Sequence, residues 1–109
     1  MNLRDLTNDE QRLIRHLISL ANNKNLEHQL EKLKVKEMND SGMGSLLLFP
    51  AGKVVPNRDY GQTVSEVEFH DADKAVVLAS LNVDENGDLF ELDIWKTNFD
   101  RLHKIPDEF

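Results

Sequence analysis

The chain has 109 residues, of which 39% are hydrophobic and 30% charged, and its formal net charge is −7. This size and composition predict one folded domain, residues 1–109, built around a single core. The absence of cysteine excludes disulfides, thiolate metal sites and cysteine nucleophiles. No apolar run is long enough to span a bilayer and the N-terminal segment is polar, so we expect a cytoplasmic protein without membrane contact.

The charge is divided unevenly along the chain. Residues 1–54 carry eight Lys or Arg against seven Asp or Glu, whereas residues 55–109 carry five against thirteen. An acidic field of this kind repels phosphate backbones and attracts basic proteins. The distribution therefore favours a protein partner and argues against direct binding of nucleic acid.

A capping box predicts the first helix, with the Thr7 hydroxyl at the N-cap and the Glu10 carboxylate three residues later. Apolar residues then recur with helical period over Asn8 to Ala21. The stripe that they form contains Leu13, Ile14, Leu17, Ile18 and Ala21, with Leu20 adjoining it. The polar run at residues 22–25 ends this helix, and residues 26–31 are ambiguous, with a further helical turn as one reading.

Five strand-like segments follow the helix. They are Leu33 to Met38, Ser45 to Phe49, Thr63 to His70, Ala75 to Val83, and Leu89 to Lys96. Asn86-Gly87 favours a tight hairpin with positive φ at Gly87, and two prolines and two glycines in residues 50–61 predict an exposed loop. The order of elements predicts an α+β fold, in which the N-terminal helix packs on one face of an antiparallel sheet of about five strands arranged as a meander.

Alternation along the strands separates a buried face from an outward face. The predicted buried residues are Val67, Phe69, Val77, Ala79, Leu81, Val83, Phe90, Leu92 and Ile94. The predicted outward residues are Val64, Glu66, Glu68, His70, Val76, Leu78, Ser80, Asn82, Glu91, Asp93 and Trp95.

Carboxylates around an exposed tryptophan have the composition of a recognition patch for a basic protein. The predicted partner-binding residues are Glu66, Glu68, His70, Glu91, Asp93 and Trp95. The alternative is a solvated polar face, with Trp95 partly covered by the C-terminal tail.

The sequence predicts no catalytic, cofactor-binding or metal-binding residue. The outward carboxylates could in principle form an acid–base pair, but nothing in the sequence indicates a cleft around them. Residues 84–88 resemble the start of a calcium loop, yet Leu89 and Trp95 stand where an EF-hand requires glycine and glutamate. The four histidines, His16, His28, His70 and His103, lack metal-ligand spacing.

Two stretches, residues 36–46 and 80–96, resemble the pattern of a family of small acidic bacterial proteins of unassigned function. Those proteins are similar in size, acidity and architecture to immunity proteins of polymorphic toxin and contact-dependent growth inhibition systems. The resemblance implies a cytoplasmic antidote that binds and blocks a cognate toxin domain, such as a basic nuclease. The alternatives are an adaptor or self-associating domain and, third, a small enzyme.

Overall fold

The structure is a computed structural model that describes residues 2–109, with Met1 outside this range. Within residues 2–109, two helices, five strands and one 3-10 turn follow one another. In order they are α1 (Asn8–Ala21), α2 (Lys24–Leu30), β1 (Lys34–Glu37), β2 (Leu46–Phe49), the 3-10 turn (Pro50–Gly52), β3 (Tyr60–His70), β4 (Val76–Asp84) and β5 (Leu89–Lys96). No helix in the described part of the chain is long and apolar enough to cross a membrane.

The five strands form one antiparallel sheet in the order β1-β2-β5-β4-β3. Strands β3, β4 and β5 are consecutive neighbours, and the β1–β2 hairpin joins them through β5. The connection between β2 and β3 therefore carries the chain to the far edge of the sheet. The predicted α+β fold, a helix on one face of a five-stranded antiparallel sheet, is confirmed.

The capping box begins α1 as predicted. The Thr7 hydroxyl accepts a hydrogen bond from the Glu10 N–H at 3.1 Å, and the Glu10 carboxylate accepts one from the Thr7 N–H at 2.9 Å. The helix buries Leu13, Ile14, Leu17 and Ile18. Leu20, which adjoins the apolar stripe, is 52% exposed. The ambiguous segment is helical: it forms α2, which buries Leu26 and Leu30.

The helices and the inward face of the sheet enclose the core. Its sheet residues include Val35, Leu46, Leu48, Phe69, Val77, Ala79, Leu81, Val83, Leu89, Leu92 and Ile94, and Ile105 joins them from the C-terminal tail. Val67 is partly buried against the same cluster. The predicted buried face is therefore confirmed except at Phe90.

A β-bulge explains the error at Phe90. Asn82 pairs with Glu91, but the next residue, Val83, pairs with Leu89, so Phe90 is the extra residue of β5. Leu89 is fully buried in its place, while Phe90 is half-buried. The alternation assumed an uninterrupted strand, and the bulge shifts its phase.

A second bulge corrects the prediction for Val64. Thr63 pairs with Asn82 and Ser65 pairs with Leu81, which leaves Val64 without an opposite residue on β4. Val64 packs against the core instead of pointing outward.

The β4–β5 hairpin has the predicted turn, with Gly87 at φ +84°. Asp84 organises this turn, because its carboxylate accepts hydrogen bonds from the N–H groups of Asn86 at 2.9 Å and Asp88 at 3.0 Å. The turn explains the resemblance of this segment to the start of a calcium loop.

The segment between β2 and β3 is more ordered than predicted. It begins with a 3-10 turn, and β3 starts at Tyr60, three residues before the predicted start. Residues 53–57 are exposed, as expected for a loop, but the Arg58 side chain is only 9% exposed. The prediction of an exposed loop over residues 50–61 is therefore wrong at its two ends and at Arg58.

Replacing Leu17 with alanine is expected to lower the free energy of unfolding by about 2 to 5 kcal/mol, since Leu17 is fully buried under the sheet. Urea denaturation of the purified variant measures the change. Leu20→Ala on the same helix is the matched control and should change stability by less than about 0.5 kcal/mol. Equal effects of the two substitutions would contradict the assignment of the buried helix face.

Candidate partner-binding surface

The side chains of β3 show which face of the sheet is free. The Ser65 hydroxyl donates to the Leu17 carbonyl of α1 at 2.7 Å, and Phe69 is buried in the core. Residues two apart on a strand share a face. Glu66, Glu68 and His70 therefore point away from α1, and all three are exposed.

Strand register brings the predicted residues together on the outward face of β3, β4 and β5. Two rows cross these strands: Glu66, Ser80 and Asp93 in one, and Glu68, Leu78 and Trp95 in the next. His70 lies beside Val76, and Glu91 lies between Leu47 and Asn82. All six predicted site residues thus share one surface, with Glu91 half-buried and the other five exposed.

Four carboxylates on this surface have no ion-pair partner in the described part of the chain. Among residues 2–109, no Lys, Arg or His nitrogen lies within 4.0 Å of the carboxylate oxygens of Glu66, Glu68, Glu91 or Asp93. Glu66 accepts one hydrogen bond, from the Ser80 hydroxyl at 3.2 Å. Their negative charge is therefore not neutralised by any residue that the structure describes and remains available to a partner.

An aromatic pair adjoins the carboxylates. Trp95 is 49% exposed, and its ring meets the Phe99 ring edge-on, with centroids 5.0 Å apart and planes at 85°. Phe99 is 62% exposed, and Leu78 beside Trp95 is 36% exposed. The C-terminal tail touches Trp95 through Phe99 but leaves half of the indole accessible.

A buried charge cluster holds the tail at this end of the sheet. The fully buried ammonium of Lys96 lies 2.9 Å from the Asp71 carboxylate and 2.8 Å from that of Asp73, and it also donates to the Arg101 carbonyl at 2.9 Å. Asp71 accepts from the backbone N–H groups of His103 and Lys104, each at 2.8 Å. The cluster therefore ties the tail to the ends of β3 and β5, next to the Trp95–Phe99 pair.

These contacts shift the pKa values of the buried groups. Burial alone would raise the pKa of Asp71, but hydrogen bonds from His103, Lys96, Lys104 and Ala72 outweigh it and lower the pKa to about 2. Burial would likewise lower the pKa of Lys96, and the two aspartates raise it instead. Both groups are charged over the whole neutral range.

A second buried ion pair lies at the opposite end of the sheet. Arg58 donates from Nε to the Asp84 carboxylate at 3.0 Å and from its two other nitrogens to the carbonyls of Leu48 and Leu89. Its guanidinium also lies over the Phe90 ring, 4.9 Å from the centroid. Burial would raise the pKa of Asp84, but the Asp88 N–H and Arg58 lower it. The pair joins β2 and β5 beyond the last residues at which these strands pair.

Two clefts contain a carboxylate whose pKa is lowered. One cleft, of about 320 Å³, is lined by Arg58 and Asp84, and another, of about 240 Å³, includes Glu10. Both carboxylates have lowered pKa values and are saturated by donors, which makes them poor proton carriers at neutral pH.

Asp73, Asp100 and His103 are exposed, and each offers one atom that could bind a metal ion. These three atoms lie within 4.8 Å of one another. The Lys96 ammonium is already bound to Asp73 there.

Comparison with known proteins places the chain in a family. Residues 3–106 match the family described as a domain of unknown function, DUF6984. The chain belongs to the DUF6984 family. No curated protein and no solved structure matches it. The family description assigns no activity to this DUF6984 protein.

Sequence reasoning missed three contributors to the surface of this DUF6984 protein. Phe99 lies outside any periodic segment, and a turn places it, with its N–H donating to the Lys96 carbonyl at 2.9 Å. Lys96 and Asp71 are buried and bind the tail next to the Trp95–Phe99 pair. The alternation of β5 does put Lys96 on the inward side, but a lysine at a strand end gives no other signal of burial.

Proposed function

We propose that this DUF6984 protein is a binding protein whose outward sheet face docks a basic protein, and that this partner is a toxin domain which it neutralises in the cytoplasm. The observation that carries the proposal is the juxtaposition of four unpaired carboxylates with the exposed Trp95–Phe99 pair. Such a surface combines the two components of a protein-recognition site, a charged field and an aromatic anchor.

The carboxylates supply steering. Unpaired charges on an open face raise the rate of encounter with an oppositely charged protein, and the effect weakens as salt screens it. A nuclease-type toxin has a basic surface for its substrate, to which an acidic face is complementary. The resemblance to immunity proteins supports this choice of partner.

The aromatic pair supplies the anchor. The Trp95 ring contacts the Phe99 ring, and a tryptophan side chain has only two torsions to order on binding, so its side-chain entropy cost is small. Burial of an exposed indole and phenyl ring removes a large apolar area from water. The pair therefore favours slow dissociation once the carboxylates have guided the encounter.

Self-association through this face is a weaker alternative. The apolar cluster of Leu78, Trp95 and Phe99 could contact a second copy, but face-to-face pairing would bring two sets of unpaired carboxylates together. Like charges across an interface oppose association. The charge pattern thus favours a basic partner over a second copy of the chain.

The proposal predicts different kinetic effects for charge reversal and for loss of the anchor. Glu91→Lys with Asp93→Lys should slow association with the toxin domain encoded by the neighbouring gene, and added salt should slow the wild type in the same way. Trp95→Ala should mainly speed dissociation, by roughly 30-fold for an anchor worth about 2 kcal/mol. Binding kinetics at two salt concentrations and survival of cells that co-express the toxin measure both effects.

The matched control is Glu27→Lys with Glu31→Lys, which makes the same charge change at exposed residues of and just after α2. It should retain protection and a near-normal association rate. Full protection by a folded variant with Glu91→Lys, Asp93→Lys and Trp95→Ala would place the interface elsewhere. The absence of any toxin gene beside this one would favour the adaptor alternative.

A further inference from the structure

The two edge strands of the sheet differ in whether another segment pairs with them. At the β1 edge, the N-terminal segment pairs with the strand: the Arg4 N–H donates to the Val35 carbonyl at 2.9 Å, and the Val35 N–H donates to the Arg4 carbonyl at 2.8 Å. At the other edge, β3 pairs only with β4. Within residues 2–109, no backbone hydrogen bond reaches β3 from outside the β3–β4 ladder. The β3 edge is therefore open.

Part of this open edge is regular enough to accept another strand. The two irregularities of β3 lie between Tyr60 and Gln62 and between Thr63 and Ser65. From Ser65 to His70 the register with β4 is uninterrupted. In a regular strand, alternate residues direct their N–H and C=O groups to the free side. Residues 65–70 thus present a row of unpaired donors and acceptors.

Several of the usual protections of an edge strand are missing from this stretch. Exposed edges are commonly blocked by charged residues, above all lysine, by proline, by bulges or by a covering element. Strand β3 contains no lysine, arginine or proline and its bulges precede residue 65, so negative charge is the protection that residues 65–70 carry. Its outward charged residues are Glu66 and Glu68, and both are exposed and unpaired. The edge is therefore open and acidic.

The charges of Glu66 and Glu68 determine which kind of strand can pair with this edge. If a second copy added antiparallel about Val67, with both sheets facing the same way, Glu66 of each chain would lie opposite Glu68 of the other. Like charges directly opposite on adjacent strands are destabilising, whereas opposite charges stabilise. A strand with lysine or arginine at the outward positions satisfies both carboxylates.

The inward side of the edge determines which residues suit the other, inward-facing positions of an added strand. Val67 is partly buried and packs against the core, and Phe69 is buried. An added strand would set its inward side chains beside Val67 and beside Phe69, whose ring already meets the Phe109 ring edge-on with centroids 5.9 Å apart, so the neighbours on this side are apolar. The edge thus selects an alternation of basic and apolar residues.

We propose that residues 65–70 of β3 are a strand-addition site for an extended segment of the partner in which basic residues alternate with apolar ones. This inference rests on the proposed function, because the added strand would belong to the same basic partner that docks on the outward face. Backbone hydrogen bonds supply affinity in this mode, and the alternating side chains supply specificity.

A peptide titration tests the proposal without the natural partner. The probe is a capped heptapeptide of alternating lysine and valine, added to the full-length, isotope-labelled protein and followed by amide NMR signals. We expect shifts and slowed hydrogen exchange at residues 65–70. The matched glutamate–valine peptide should not bind. Glu66→Lys with Glu68→Lys should weaken binding at least tenfold, and more than Glu91→Lys with Asp93→Lys does.

Backbone pairing is tested separately by methylating alternate peptide nitrogens. Only one alternate set of peptide amides can face β3, so methylation of that set should abolish binding and methylation of the other set should leave it. Identical behaviour of the two methylated peptides would overturn strand addition, as would failure of the unmodified peptide to bind. Shifts confined to the surroundings of Asp93 and Trp95 would also overturn it while leaving the proposed function intact, because toxin protection is measured independently.

Discussion

Replacing Asp71 with alanine is expected to lower the free energy of unfolding by about 3 to 5 kcal/mol, the usual cost of removing one member of a buried ion pair. The substitution leaves the Lys96 ammonium, which is fully buried, with one carboxylate partner fewer. It also removes the acceptor for the N–H groups of Ala72, His103 and Lys104. Urea denaturation of the purified variant measures the loss.

Two controls separate a buried charge cluster from a general effect of losing a carboxylate. Asp93→Ala, on the exposed face of the same sheet, should change stability by less than about 0.5 kcal/mol. Adding Lys96→Met to Asp71→Ala should restore part of the stability, since the ammonium is then no longer buried beside a missing partner. A loss below about 1 kcal/mol in Asp71→Ala would contradict the role assigned to the cluster.

The Asp71 carboxylate should also make the folding stability of the protein fall at acid pH. The pKa of Asp71 is about 2 in the folded chain and 3.8 ordinarily, so the unfolded chain takes up a proton first as pH falls. The contribution of Asp71 is therefore fully present above pH 3.8 and is lost as pH falls toward 2. The dependence of stability on pH in this window should be shallower in Asp71→Ala than in the wild type.

Local patterns were sufficient to predict the regular elements. The capping box and the four-residue spacing of apolar side chains gave the bounds of α1, and alternation gave β5 from Leu89 to Lys96. Both patterns depend on neighbours along the chain, which is why they can be read without the fold. The shared outward face of the six candidate site residues followed from the same alternation.

Features that depend on pairing between strands could not be predicted. The bulges at Val64 and Phe90 arise from how β3 and β5 align with β4, and no local signal marks either position. The burial of Lys96 and Arg58 depends on carboxylates distant in sequence. Long basic side chains are mostly exposed, so composition argues against burial until the partner is known.

Arg58 carries the most consequential of these unpredicted contacts. Strands β2 and β5 pair only through Leu46–Leu92 and Leu47–Glu91. Beyond that point, the carbonyls of Leu48 and Leu89 both accept from the Arg58 guanidinium. One planar side chain therefore takes the place of ladder hydrogen bonds and joins the β1–β2 hairpin to the meander.

Arg58→Ala is accordingly expected to cost about 3 to 5 kcal/mol of unfolding free energy, because it leaves the Asp84 carboxylate buried without its cation and two strand carbonyls without a donor. Arg58→Lys should recover less than half of the loss, since an ammonium cannot reproduce a fork that binds three acceptors and stacks on Phe90. Lys53→Ala, at an exposed position of the same connection, is the matched control and should be nearly neutral. Urea denaturation compares the three variants. If lysine restored wild-type stability, a single positive charge beside Asp84 would suffice. The hydrogen bonds from the guanidinium to the carbonyls of β2 and β5 would then not contribute to stability.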